Sequence, residues 1–424
     1  FTSHYISDRH AREKCLDTTL ELLAFERSLN PNVFQNYTNG TWFSPWWLQH
    51  VDSLWMMSGD SGGGGAWPYL SLREGATTYR DKYFFQNHNN SERTVRSLIP
   101  VANFMTHGIL FSKSKPFTDF KDRLQDWADY VVMYYARGTN VKELYISPEL
   151  LDTDHWRVLG TTTRWAVHNQ QRLRNTVYVG GDPEKGQAYG YVSWVDDRAI
   201  LTVRNPDRGE QFLRVPFDQS VYYRGVHGKP YHARAVYPYV EQMPWTLVSG
   251  REWEVRVPGD STLVLEIEPG APLETSRLAP STLPKCTTDH DDDHFQITLT
   301  VPDEYLPRYD LLMQCWATVS VSIAINEKPI EPRQFRLGRK WTVAAYDLSG
   351  RRGQTITVIG KLRAVEGEPA QRTNTVPVEA WLIADREVGQ KRAEVQPNLP
   401  FALGQTYRRQ SQVLLPKSLF TIQK

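Results

Sequence analysis

The apolar residues of this chain change their spacing partway along, and that change constrains the fold most. Up to about residue 170 they switch repeatedly between helical and strand periods; after Asn175 they keep to strand periods. Leu16, Leu20 and Leu23 predict a helix that ends before Asn30-Pro31. Val33 to Tyr37 is a short strand closed by Asn39-Gly40, and Pro45 opens a helix carrying Trp46, Trp47 and Leu48. Leu54 to Ser58 is the next strand, residues 70–95 are polar and helical in part, and Leu98 to Leu110 is apolar again. Phe120, Leu124, Trp127, Val131 and Tyr135 form the clearest amphipathic helix. Val141 to Ile146 is a strand stopped by Pro148, and Asp152 or Asp154 caps a helix running to about Asn169. Strands alternating with helices build a parallel sheet, open or closed into a barrel. Only half the strands of a (β/α)8 barrel are present, so the reading is its second half, beginning on the helix after the fourth strand.

Beyond Asn175 the pattern is antiparallel. Gly180-Gly181-Asp182-Pro183 and Gly186 punctuate the chain, residues 189–194 and 199–204 read as a hairpin around Asp196-Asp197, and Thr262 to Glu268 alternates. A second β-rich stretch follows Cys286, with Phe295, Ile297, Leu299 and Val301 alternating, as do Val319, Val321, Ile323 and Ile325. The fold class is therefore α/β plus all-β: half a TIM barrel and two antiparallel β-sandwiches. The expected divisions are 1–174 for the half barrel, 175–275 for a sandwich packed on it, and 276–390 for a second sandwich, a candidate carbohydrate-binding module. Residues 391–424 read as an extended arm wrapping another surface.

Composition narrows the function by exclusion. With 49 Lys and Arg against 48 Asp and Glu, the chain lacks the field that draws nucleic acid or an anionic membrane. No apolar run reaches the ~18 residues of a membrane span. There is no phosphate loop, dinucleotide fingerprint, zinc-finger spacing or serine elbow, and Gly62 to Gly65 lack the Lys and Ser/Thr of a phosphate cradle. No cofactor is expected. The run His290-Asp291-Asp292-Asp293-His294 invites a metal, but consecutive residues seldom converge on one ion, and a solvated loop is the favoured reading. Of three cysteines, Cys286 and Cys315 share one β-rich region and can pair. Asn36, Asn39 and Asn89 head formal glycosylation sequons.

One carboxylate is placed where a barrel enzyme would present an acid. Asp60 follows the apolar run of residues 51–58 and precedes Ser61 and four glycines, with Trp42, Trp46, Trp47, Trp55 and Trp67 nearby. A capping Asp at a strand-to-helix turn is the alternative. Asn39 offers donor and acceptor to a hydroxylated ligand, or serves as a left-handed turn residue before Gly40. Trp42 and Trp55 can form a platform under a sugar ring, or pack in the core. Arg80 can contact substrate or lie in a surface ion pair, and His107 can bind substrate or be a satisfied buried histidine. Asp52 reads as ordering the start of its strand.

The order of these pieces resembles the catalytic half of melibiase-like α-galactosidases. Thr38-Asn39-Gly40-Thr41-Trp42 stands where that family has its fifth-strand motif, and residues 54–60 match the sixth strand with its acid. Residues 99–108 resemble the seventh strand, residues 143–148 with Trp156 and Trp165-Ala166 the eighth strand and closing helix. Val179-Gly180-Gly181-Asp182-Pro183, Tyr189-Gly190-Tyr191 and Asn205-Pro206 resemble the start of the sandwich. Two departures stand out: Asn39-Gly40-Thr41 replaces a Cys-Ser-containing motif, and Ser58-Gly59-Asp60-Ser61-Gly62 shortens the acid motif. The resemblance implies a retaining α-glycosidase in which Asp60 is the acid/base and the nucleophilic Asp follows the fourth strand, before residue 1. It further implies a carbohydrate substrate, a secreted or periplasmic setting, and an N-terminal half barrel supplied by another segment. The competing class is a non-catalytic carbohydrate-binding or toxin-like protein on the same scaffold.

Overall fold

The computed structural model describes residues 7–37, 44–55, 66–89, 99–106, 108–113, 123–271, 284–291, 293–306, 308–317, 319–337, 340–365, 375–387 and 407–421. Its first part follows the predicted alternation: α1 (Asp8–Leu29), β1 (Asn36–Tyr37), β2 (Ser53–Trp55), α2 (Leu72–Asn89), β3 (Phe104–Met105), β4 (Ile109–Phe111), α3 (Leu124–Ala136), β5 (Leu144–Ile146), α4 (Thr153–His168) and α5 (Gln170–Leu173). Pro45–Gln49 is a 3-10 turn whose first backbone N–H groups are capped by Ser44, and the Asp152 carboxylate caps α4 by accepting from the Asp154 and His155 amides.

All pairings in this part are parallel. Asn36 lies opposite Ser53, Leu54 opposite Phe104, and Ile109 opposite Leu144. The run read as one strand over 98–110 is two short strands, β3 pairing with β2 and β4 with β5. Gly108 explains the break. A Cβ there would sit 1.7 Å from the Glu143 carbonyl oxygen, so only glycine lets the chain enter β4. Among the described residues these strands form two separate sheets, β1-β2-β3 and β4-β5, so β1, β3, β4 and β5 each have a strand on one side only. Leu22, Phe25, Leu29 and Phe34 are exposed near β1, Leu144, Tyr145, Trp156 and Val167 near β5.

The first sandwich comprises β6 (Thr176–Gly180), β7 (Tyr189–Val195), β8 (Arg198–Asn205), β9 (Gln211–Val215), β10 (Pro230–Tyr237), β11 (Glu241–Val248), β12 (Trp253–Val257) and β13 (Ser261–Pro269). Six of them form one antiparallel sheet in the order β11-β10-β13-β8-β7-β6, faced by the pair β12-β9. Asp196, at positive φ, makes the β7–β8 turn. β13, read as alternating, is buried on both faces over Ser261 to Ile267. One face packs on Leu213, Val255 and Trp253, while Ile200, Val236 and Val264 face the helices α3 and α4.

The second sandwich holds β14 (Cys286–His290), β15 (His294–Thr300), β16 (Arg308–Trp316), β17 (Val319–Ile325), β18 (Lys328–Ile330), β19 (Gln334–Leu337), β20 (Trp341–Asp347), β21 (Thr355–Ala364), β22 (Thr375–Glu387) and β23 (Tyr407–Thr421). Its two sheets run β14-β15-β21-β17-β18 and β19-β20-β16-β22-β23 around a common core. The tail over 407–421 therefore does not wrap another surface; it is an edge strand of this sandwich, with Leu415 and Phe420 in the core. Pro416 is accommodated because the register against β22 shifts there, leaving its missing N–H without consequence. Cys286 and Cys315 lie in different sheets and are unpaired; the Cys315 thiol is buried, and burial pushes it up to about 12.

Candidate functional site

Asn39, Trp42, Asp60 and His107 lie outside the described residues, but the strands they follow are described. β1 ends at Tyr37, β2 at Trp55 and β3 at Met105. Because these three strands are parallel and adjacent, their carboxyl ends share one edge of the sheet. Trp55 is half-buried at that edge, opposite Met105. Asp52 is at the other end of β2: its carboxylate accepts from the Gln35 amide at 2.8 Å and from Arg27 at 3.1 Å, and its carbonyl accepts from Asn103 at 2.8 Å. Asp52 thus ties α1, β1 and β3 together, the ordering role read for it.

Arg80 is a different matter. It is only 3% exposed, its guanidinium 4.4 Å from the Tyr130 ring centroid and 4.9 Å from that of Tyr134. It donates to the carbonyls of Gly108 and Tyr130 at 3.4 and 3.3 Å. It has neither the surface ion pair nor the open face for substrate that its sequence position suggested; aromatic rings around the cation account for its burial.

What Arg80 does is hold the chain beside His107. The Gly108 carbonyl also accepts from the Tyr130 hydroxyl at 3.1 Å. On the other flank, the Thr106 hydroxyl accepts from Arg137 at 3.0 Å. Arg137 is fully buried and paired with Asp81, which is also fully buried and accepts from the Tyr189 and Tyr191 hydroxyls at 2.6 and 3.2 Å. Burial and the adjacent Asp81 carboxylate raise both phenols, so they remain neutral donors. Sequence reading missed Asp81, Arg137, Tyr189 and Tyr191. The one available signal was two tyrosines flanking Gly190, a residue whose Cβ would lie 2.3 Å from the Thr202 carbonyl oxygen.

The chain that leaves the glycine tract after Asp60 is also held. The Ala66 amide donates to Glu184 at 3.3 Å, and the Ala66 carbonyl accepts from the Trp341 indole at 3.0 Å. The Trp67 indole donates to the Pro206 carbonyl at 3.0 Å, and its ring lies against Gly186, where a Cβ would come within 2.2 Å. Tyr69 packs edge-on against Trp341 with centroids 4.9 Å apart, and Leu70 is buried with Leu312, Trp341 and Trp381. Ser71 and Glu74 then start α2 reciprocally: the Glu74 amide donates to Ser71 at 3.2 Å and the Leu70 amide to Glu74 at 3.1 Å.

Glu74 belongs to a buried ionic junction where α2, α3 and both sandwiches meet. Asp260, in the turn before β13, faces Arg208 at 3.0 Å, Arg308 and Arg409 at 3.2 Å, and Arg123 at 4.0 Å. Burial opposes its ionisation, yet the surrounding guanidinium groups hold its carboxyl far below the usual carboxylate range. Arg208 also meets Glu74 at 3.2 Å, and Arg409 chelates Asp385 at 2.7 and 3.1 Å. Burial pushes Asp129 up to about 7 against the pull of Arg409 and of hydrogen bonds from Tyr237 and Gln125. These perturbed carboxyls join helices α2 and α3 to the sandwich sheets.

Asp291, Asp293 and His294 converge in the β14–β15 turn, with ligand atoms within 4.8 Å of one another; Asp292 lies outside the described residues. The Asp291 carboxylate caps the turn by accepting the Asp293 and His294 amides at 3.2 and 2.9 Å, which explains the geometry without an ion. No described helix is long and apolar enough to cross a membrane.

No family model matches the chain, and no curated protein matches it. Solved structures similar to it include α-galactosidase I from Mortierella vinacea (8% identity, 52% of this chain and 53% of that one, TM-score 0.32). A second is α-galactosidase from Saccharomyces cerevisiae, solved with raffinose (8% identity, 55% and 64%, TM-score 0.34). A third is an α-amylase from Geobacillus thermoleovorans complexed with acarbose (12% identity, 59% and 56%, TM-score 0.37). The chain spans less than two thirds of each of these structures. The structures it is similar to thus include α-galactosidases, the family its sequence order resembles, at low identity.

Proposed function

We propose that this chain is part of a glycoside hydrolase, a retaining α-glycosidase acting on an α-linked galactoside or related glycan. The observation that carries the reading is the parallel register of β1, β2 and β3, whose carboxyl ends lead into Asn39, Asp60 and His107 from one sheet edge. Asp60 would protonate the departing oxygen and then activate water, with a nucleophilic carboxylate roughly 5 Å across the scissile bond. Asn39, Trp42, Trp55 and His107 would line the sugar. Arg80, enclosed in the interior, would act only by holding Gly108 beside His107.

The nucleophile would come from an N-terminal (β/α) segment that covers the edges at β1 and β5. Parallel edges that carry no further strand among the described residues, with Phe25, Leu29, Tyr145 and Trp156 exposed, support such a partner. The setting proposed is secreted or periplasmic.

The test is Asp60→Ala in the complete protein. Turnover of a glycoside with a poor leaving group should fall by roughly 100-fold or more, while an activated aryl glycoside is spared longer. Equal survival of both substrates would remove Asp60 from the acid role, and a complete protein without glycoside turnover would favour a carbohydrate-binding scaffold.

A further inference from the structure

We infer that the ionic junction binds a monovalent cation of sodium size, in a cavity between α2, α3 and β13. The cavity has a volume of about 10 Å³, the room of one water molecule. Four carboxyls line it: Glu74 from α2, Asp126 and Asp129 from α3, and Asp260 from the turn before β13. Against them stands one guanidinium, Arg204. A second small cavity adjoins it, with Asp129, Ser261 and Thr262 lining both. The inference holds whether or not the chain is a glycosidase.

Thr262 is the residue that points to a ligand. It lies opposite Arg204 in the sheet, two residues before Val264, and so shares the face that Val264 turns to the helices. It is 2% exposed, and its hydroxyl oxygen has no hydrogen-bond partner among the described residues. One oxygen of Glu74 is likewise buried without a partner, while the other accepts from the Leu70 amide and from Arg208. Buried oxygens left in this way cost stability unless something in the cavity meets them. Thr77 and Ser261 also line the cavity, and their hydroxyls already donate to the carbonyls of Arg73 at 2.9 Å and Pro258 at 2.5 Å. Their oxygens are therefore left as acceptors.

Four carboxyls to one guanidinium, with hydroxyl oxygens as acceptors, suit a positive ligand, and an all-oxygen set suits a hard ion. Burial raises the carboxyls of both Glu74 and Asp129, as expected where nearby positive charge falls short. A divalent ion fits poorly. Calcium takes about six to eight oxygens and magnesium keeps several waters, and one water's volume holds neither shell. Nor do three of these carboxyls converge; among the described residues only Asp291, Asp293 and His294 bring three such atoms within 4.8 Å of one another.

The test is a thermal melt of the complete protein at pH 8 in sodium chloride, set against choline chloride at equal ionic strength. Sodium should raise Tm by roughly 2 °C or more, with a dependence on concentration that follows single-site binding. Potassium, a larger ion, should give clearly less. Thr262→Val keeps the side-chain shape and removes an oxygen that no other described group uses; it should fold as the parent does and lose the sodium gain. Glu74→Gln should lose it too. Equal melts in sodium and choline chloride overturn the inference, and so does a gain that potassium matches. A sodium gain that survives both substitutions places the ion elsewhere and overturns the site. Should either variant fail to fold, the sodium NMR line of the parent decides. Broadening that excess potassium does not reverse supports a sodium site, and an unbroadened line overturns it.

Discussion

Two junctions hold the layers together: in one, phenols of the first sandwich meet a buried carboxylate of the half barrel; in the other, guanidinium groups from the half barrel and both sandwiches meet on Asp260 of the first sandwich. At the first seam, Tyr189 and Tyr191 donate to one buried carboxylate, Asp81, and their rings pack among Phe84 and Tyr178. At the second, Asp260 is the hub for arginines from four stretches of chain. Phenols are neutral, so their burial costs little once hydrogen-bonded, and through Arg137 the first seam reaches Thr106, next after β3. Guanidinium groups stay charged, so the second seam holds only while every charge is matched. The first seam sets side-chain positions near the site; the second sets how three layers of chain are joined.

The contrast is most easily broken at the hub. Asp260→Ala leaves the arginines without their shared counter-ion and should destabilise the protein by about 3–5 kcal/mol, read as the shift of a urea unfolding curve. A loss below about 1 kcal/mol would mean that the arginines find other partners and the seam is redundant. Asp81→Asn is expected to cost less, about 2–3 kcal/mol, since one of the two oxygens that accept from Tyr189 and Tyr191 is kept while Arg137 loses its ion pair. It should also lower turnover, because Arg137 holds Thr106; unchanged turnover would confine Asp81 to the seam. A pH-dependent effect is expected at Asp129. Its carboxyl is raised by burial to about 7 in the folded protein against an ordinary 3.8. A raised carboxyl contributes stability that is complete below its ordinary value and lost as pH rises through about 7. Thermal melts of the parent should therefore fall between about pH 4 and 7, and Asp129→Asn should flatten that part of the profile. A slope that survives the substitution would assign it to Glu74, raised chiefly by burial and by Asp260.

Much of the layout was legible because it depends on local period and local chemistry. The alternation of Phe295 to Val301, the cap at Asp152 and the turn at Asp196 are decided by neighbours in sequence, and the structure has all three. The split of the third strand was not legible, since Gly108 is required by a carbonyl from residue 143. Arg80 was misread for a related reason: a charge beside Asp81 suggests the surface, while the rings that enclose it come from α3. The tail misled because it is polar and carries Pro397, Pro400 and Pro416; Pro416 argues against a strand unless the bulge in its own strand is known. For the site, strand ends and their order could be read; the supports could not, because Asp81 meets Tyr189 across 108 residues and Ala66 meets Trp341 across 275.

The placement of Arg409 on β23 has a consequence for how the molecule is made. Its partner Asp260 precedes it by 149 residues, and Asp385 by 24. During synthesis the earlier carboxylates emerge first and must wait, facing water or a chaperone, until the final described strand leaves the ribosome. Any product released before that strand would carry an open, charge-mismatched joint and an uncovered sheet edge. Closing the hub thus depends on the strand that carries Arg409.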